Sequence, residues 1–185
     1  MISFDEVMQL TRNVSSVAAF EDTECKALYD LCCAQRSSSV VVEIGCQLGR
    51  TSSIIAQVGK SIGYHSVHID PYTFQLEYLS GWIAMMHGIG HPFTFLCMRT
   101  DQAGRELLQY GEIDLLLIDG DHTEAGVRAD CHVAAELVRR GGIMCAHDYG
   151  RDSLPDVYRV LSAYAVLPKW DLIGIFGTLG VWRRT

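Results

Sequence analysis

The chain has 185 residues, 49% of them hydrophobic and 20% charged, which gives room for one domain with a sizeable core and not for two ordinary ones. A net charge of −7 argues against a nucleic-acid backbone or an anionic membrane as partner, because both demand a basic face. With no apolar run of about eighteen residues and no basic-flanked apolar leader, the expectation is a cytoplasmic protein acting on small molecules.

Seven cysteines is an odd number, and Cys97, Cys131 and Cys145 stand inside apolar segments, so they read as core residues of a reducing compartment. A single domain over 1–185 is expected, with helices in 1–36 and a sheet core in 37–185. Ser3 and Glu6 form a capping box, with Ile2 and Val7 as a hydrophobic staple, which predicts a short helix over about 4–11. A second helix runs from Asp22 or Thr23 to about Gln35, burying Cys25, Leu28, Leu31 and Cys32.

The stretch from Val40 to Ser52 organises the rest of the chain. Val40-Val41-Val42-Glu43-Ile44 favours a strand, Gly45 and Gly49 permit a sharp turn, and Thr51 and Ser52 stand at a helix start that runs to about Gly59. Unpaired N–H groups at such a start suit an anionic group such as a carboxylate. Gln47 stands where a dinucleotide-binding loop needs its second glycine, so that class of site is disfavoured. The next strand, 64–70, ends in Asp70, placed to accept two hydrogen bonds from a ribose.

A helix over about 76–87 carries Leu79, Trp82, Ile83 and Met86 inward; a third strand covers 93–98, and Thr100-Asp101 caps a helix to Tyr110. Ile113–Ile118 is a near-continuous apolar run, the mark of a central parallel strand, and it delivers Asp119-Gly120-Asp121-His122 to the sheet edge. Thr123 caps a helix to Arg140 whose stripe is Val127, Cys131, Ala134 and Val138. A fifth strand, 143–146, brings His147-Asp148 to the same edge. Ser153 and Pro155 open a helix burying Val157, Val160, Leu161 and Tyr164, and a hairpin around Gly177 closes the chain. Strand–helix alternation with a hairpin at its end predicts a Rossmann-like α/β sheet, mostly parallel and seven-stranded, with helices on both faces. Acids and imidazoles gathered on one rim point to a bound cation or a handled proton, with solvated capping charges as the open alternative.

Glu43-x-Gly45-x-x-x-Gly49 resembles the first motif of the class I S-adenosylmethionine (SAM) dependent methyltransferases. Ile118-Asp119-Gly120-Asp121-His122-Thr123, Arg140-Gly141-Gly142 and His147-Asp148 resemble the small-molecule O-methyltransferase branch related to macrocin O-methyltransferase and cephalosporin hydroxylase, over roughly residues 20–182. The resemblance implies SAM as cofactor and a hydroxyl of a small molecule as methyl acceptor. It implies that Glu43, Gly45, Gly49, Thr51 and Ser52 serve the methionine end, Asp70 the ribose, Thr100, Asp101 and Gln102 the adenine, and Asp119 the cofactor's edge. It further implies a divalent cation on Asp119, His147 and Asp148, with His122 at the position of the relatives' lysine base. His147 stands where those relatives carry a carboxylate, so the ion is Mg²⁺, a softer metal, or absent. Two other classes stay open, a nicotinamide-dependent oxidoreductase and a SAM-binding module without chemistry. A homodimer through an exposed Trp82 face or the terminal hairpin is also open.

Overall fold

A computed structural model describes residues 1–11, 20–73, 76–165 and 169–185. The elements in chain order are α1 (Phe4–Thr11), α2 (Asp22–Cys33), β1 (Val40–Ile44), α3 (Arg50–Ile62), β2 (His65–Ile69), α4 (Leu76–Ile89) and β3 (Phe93–Leu96). After them come α5 (Thr100–Leu107), a single 3₁₀ turn, β4 (Ile113–Ile118), α6 (Glu124–Leu137), β5 (Val138–Ala146), α7 (Pro155–Ala165), β6 (Trp170–Phe176) and β7 (Leu179–Arg184). The strands form one sheet in the order β3-β2-β1-β4-β5-β7-β6, with β1 to β5 parallel and β7 antiparallel to both β5 and β6. This is the expected seven-stranded Rossmann-like layout.

Alternate residues of the buried strands face opposite layers. Val42, Ile44, Leu116 and Met144 join α5, α6 and α7 in one core, while Val41, Leu115, Leu117 and Cys145 join α1, α2 and α3 in the other. A third cluster, Cys46, Ala56, Tyr72, Trp82 and Met86, fastens α4 beside α3. Strand order reverses between β1 and β4, so the loops at their C-terminal ends part and leave a crevice.

Several boundaries differ from those predicted. The helix expected to reach Arg140 ends at Leu137, because Val138 pairs with Ile113 and starts β5 five residues before 143. Arg139 Nε donates to Asp114 Oδ1 at 2.6 Å, and the register shift between Ile113 and Leu115 absorbs Gly141 with its φ of 76°. The helix after Thr100 is α-helical only to Leu107. Trp82 is 1% exposed, so it offers no free face, while Ile83 on the other side of α4 is 37% exposed and not core. Leu31 and Tyr164 are half-buried. The capping box on Ser3 and Glu6 is present, with Ser3 N–H donating to Glu6 Oε2 at 2.9 Å and Glu6 N–H to Ser3 Oγ at 3.3 Å.

Candidate active site

A cavity of about 680 Å³ opens in the crevice, a size suited to a nucleoside-sized ligand. The loop from β1 to α3 is its floor. Gly45 has φ 88°, and a Cβ there would stand 1.9 Å from the carbonyl oxygen of Asp119, so glycine is required by the close passage of the β4 end. Gly49, also at φ 89°, would drive a Cβ to 2.8 Å from Trp82 Cδ1. Gly49, Arg50 and Thr51 line the cavity where α3 begins, and the helix start favours a negatively charged group.

Asp70 holds this loop. Its Oδ2 accepts from the N–H groups of Cys46 at 2.9 Å and Gln47 at 3.0 Å, and its Oδ1 from that of Tyr72 at 2.8 Å. A carboxylate has about four acceptor positions, so Asp70, which also lines the cavity, keeps one for a ligand. Gln47 lies at φ 40°, and its carbonyl accepts from the Tyr72 hydroxyl at 2.7 Å.

Two residues expected at the methionine end lie elsewhere. Glu43 is fully buried beneath the loop, where it accepts hydrogen bonds from the Thr51 hydroxyl and from Ser52 Oγ at 2.5 Å and meets His68 Nδ1 at 2.6 Å. Ser52 also accepts from Trp82 Nε1 at 2.9 Å. Glu43 and Ser52 therefore brace the start of α3 from inside the core and do not line the cavity, because their bonding capacity is spent on one another. Gln102 is exposed and outside the cavity, rotated about 100° around α5 from Asp101, whereas Thr100 and Asp101 line it.

The ends of β4 and β5 form the rim. Asp119, His122 and Asp148 face the cavity, and one ligand atom from each lies within 4.8 Å of the others. His122 Nε2 is 3.0 Å from Asp148 Oδ2 and 3.7 Å from Asp119 Oδ1, yet among the described residues it has no aligned hydrogen bond. Arg151 Nη1 donates to Asp148 Oδ1 at 2.7 Å. Asp148 itself sits at φ 60°, a left-handed conformation that Asp tolerates and that turns its carboxylate back toward the strand ends.

His147 is placed differently from expectation. Its side chain is fully enclosed, stacked on Phe20 at 4.2 Å between centroids, with Nε2 3.2 Å from Glu24 Oε2. Its Nδ1 stands behind the carboxylates, 3.3 Å from Asp119 and 3.4 Å from Asp148. The residues converging on the cavity are thus Asp119, His122 and Asp148, with His147 as backing. The adjacent carboxylates, Asp119 first and then Asp148, favour the charged imidazole and raise the His122 pKa to about 9. Burial lowers that of His147, but the same two carboxylates outweigh it and raise it to about 10. Asp148 is pushed up by burial and down, more strongly, by His122, His147 and Arg151, and ends well below the usual carboxylate range.

Sequence reading missed Glu24 and Asp130. Glu24, 1% exposed, accepts from the N–H of Glu21 at 2.7 Å, the N–H of Thr178 at 2.7 Å and the Thr178 hydroxyl at 2.9 Å, tying α2 to the terminal hairpin behind His147. Asp130 is 2% exposed and lines the cavity. It lies three residues after Val127 and four before Ala134, so its place on the apolar stripe of α6 was the available signal.

Fold and cavity together define a class I SAM-dependent methyltransferase. The chain belongs to the methyltransferase domain family, whose pattern matches residues 42–149. No curated protein matches it in sequence. Among solved structures it is similar to an O-methyltransferase from Bacillus cereus in complex with S-adenosylhomocysteine (SAH), with 14% identity, TM-score 0.73, and 98% of this chain and 90% of that one covered. It is similar to the SAH-bound methyltransferase PaMTH1 of Podospora anserina (13% identity, TM-score 0.71, 98% and 87% covered). It is also similar to CalS11, a TDP-rhamnose 3′-O-methyltransferase of calicheamicin biosynthesis (13% identity, TM-score 0.70, 97% and 92% covered).

Proposed function

We propose that this chain transfers the methyl group of SAM to a hydroxyl of a small molecule at the rim of Asp119, His122 and Asp148. One observation carries the reading: a single cavity joins the glycine loop to the rim, so a cofactor held along the loop has its reactive end within reach of the acid–imidazole cluster. Gly45, Gly49 and Thr51 take the methionine end, Asp70 the ribose, and Thr100 and Asp101 the adenine side. Asp119 lies where cofactor and acceptor meet. Glu43 and Ser52 act through the loop they brace.

In the transfer, the acceptor oxygen bonds the methyl carbon as the carbon–sulfur bond breaks, its electron pair going to sulfur and leaving SAH. Alignment supplies much of the rate. The oxygen becomes strongly acidic as it gains the methyl, and its proton passes to the rim. His122 accepts it in its neutral form, which its raised pKa of about 9 makes scarce at neutral pH in the metal-free protein.

A divalent cation fits this rim, because two carboxylates and an imidazole without an aligned hydrogen bond converge there. Held by Asp119, His122 and Asp148, it would supply positive charge that acidifies the acceptor hydroxyl, and His122 would then serve as a ligand in place of a base. One nitrogen ligand shifts preference away from Mg²⁺ toward softer ions. In the alternative placement, His147 would ligate through Nδ1, which faces Asp119 and Asp148, while its Nε2 stays on Glu24 and His122 remains the base.

The test is calorimetric binding of SAM, then SAH release with a panel of hydroxyl-bearing acceptors. Chelator is expected to stop methyl transfer without displacing SAM, one divalent ion to restore it, and His122→Ala to lower kcat by roughly 10²–10⁴. SAM bound with no SAH from any acceptor would make the chain a silent binding module. NADH bound in place of SAM would favour an oxidoreductase. The same reading takes residues 1–185 as one domain in the cytoplasm, without nucleic-acid partners, paired with a second copy through β6. Among the described residues, no helix is long and apolar enough to cross a membrane.

A further inference from the structure

Asp130 has no part in the methyl transfer proposed for the rim. Its carboxyl reaches the cavity wall from α6, and its Oδ2, buried, has no hydrogen-bond partner among the described residues. That oxygen stands over the end of β4: a Cβ built on Gly120 would lie 3.1 Å from it. Buried polar atoms are nearly always paired, so one left free at a cavity wall marks a place for a ligand donor. Burial raises its pKa to about 7, outweighing the nearby Thr100 hydroxyl, as fits a carboxyl lacking a strong partner.

Its position selects the part of the ligand it would meet. On the proposed function, on which this inference rests, the methionine end lies at the start of α3, the ribose at Asp70 and the methyl at the rim. The stretch of cavity left over lies between Thr100 at the start of α5 and Gly120 and Asp130. The purine belongs there. Gly120 keeps the approach open, since a side chain on it would abut the free oxygen and the Ile44 side chain, each 3.1 Å from its Cβ.

We propose that Asp130 reads the cofactor's purine, its free Oδ2 accepting a hydrogen bond from the exocyclic amino group. It is a specificity-determining residue, selecting an aminopurine over a purine without the amino donor. Acceptance requires only a lone pair, so it holds whether or not the other oxygen carries a proton.

The experiment titrates the full chain with SAH and with its 6-desamino analogue, in which hydrogen replaces the adenine amino group. Wild type is expected to bind SAH about 10- to 100-fold more tightly, the value of one hydrogen bond to a buried acceptor. Asp130→Leu, which has the same branching at Cγ but no acceptor, is expected to bring that ratio close to one, while Asp130→Asn, which keeps a carbonyl oxygen, preserves most of it. A purely structural Asp130 would weaken both ligands alike and leave the ratio intact, which overturns the proposal. A wild-type ratio near one overturns it without any variant, should the leucine form not fold. Failure of wild type to bind SAH at all overturns the cofactor reading and this inference with it, whereas SAH binding with no discrimination overturns this inference alone.

Discussion

At Gly45 the backbone itself makes the demand. Its positive φ would cost an alanine about 1–2 kcal/mol, and the Cβ would overlap the Asp119 carbonyl at 1.9 Å. Gly45→Ala is therefore expected to disturb the fold at the β1–β4 junction as well as the ligand floor. Its Tm should fall by more than about 2–4 °C, with SAM affinity lost. A variant with unchanged Tm would show that the loop does not press on β4. The rim histidines give a second expectation at this scale. His122 and His147 have folded pKa values of about 9 and about 10, above their ordinary 6.5. The folded state therefore binds protons more tightly than the unfolded one. The stability they lend is full below pH 6.5 and drains as pH rises through 9 and 10. In chelator-treated protein, Tm should decline from about pH 7 to about pH 10, and Asp148→Asn, which removes the shared carboxylate charge, should shallow that decline. Equal slopes in the two proteins would remove the ion-pair cluster as its cause.

Between elements, Glu24 is the tie that matters to the site, since it links α2 to Thr178 and stands behind His147. Removing one partner of a buried ion pair costs about 3–5 kcal/mol, so Glu24→Ala should lower Tm by about 6–20 °C for a chain of this size. Glu24→Gln, which keeps an acceptor, should lose less. Equal losses in differential scanning fluorimetry would reject the charge as the cause. This tie also shows where sequence reading stops. The seven strands were legible, the first five residues of β5 aside, and Gly45, Gly49, Asp70, Asp119, His122 and Asp148 were legible as cavity lining because the cavity opens where parallel strand ends converge. Glu24 was not, since its partner lies 154 residues away and its spacing to Glu21 says only that a helix begins there. The end of α6 was hidden for a similar reason: Val138 fits the helical stripe, and only its pairing with Ile113 makes it strand. Glu43 and Ser52 were correctly drawn to the loop but assigned to the wrong side of it, because sequence does not show that they satisfy each other.

On the scale of the whole molecule, the sheet has one edge that invites a partner. Among the described residues, strand β6 pairs only with β7, and its Leu172, Ile173, Ile175 and Phe176 are each 44–52% exposed. An apolar strand with a free row of backbone donors and acceptors is a template for pairing with another strand. A second copy related by a two-fold axis can present the same strand antiparallel to it, which closes the assembly at two chains. Size-exclusion chromatography with light scattering is expected to show a dimer. Ile175→Lys, placing a charge on that edge, should shift it to monomer. Because β6 contributes nothing to the cavity wall, SAM affinity should be the same in dimer and monomer. A wild-type monomer at high micromolar concentration would reject the pairing, and a dimer that survives Ile175→Lys would move it to another face.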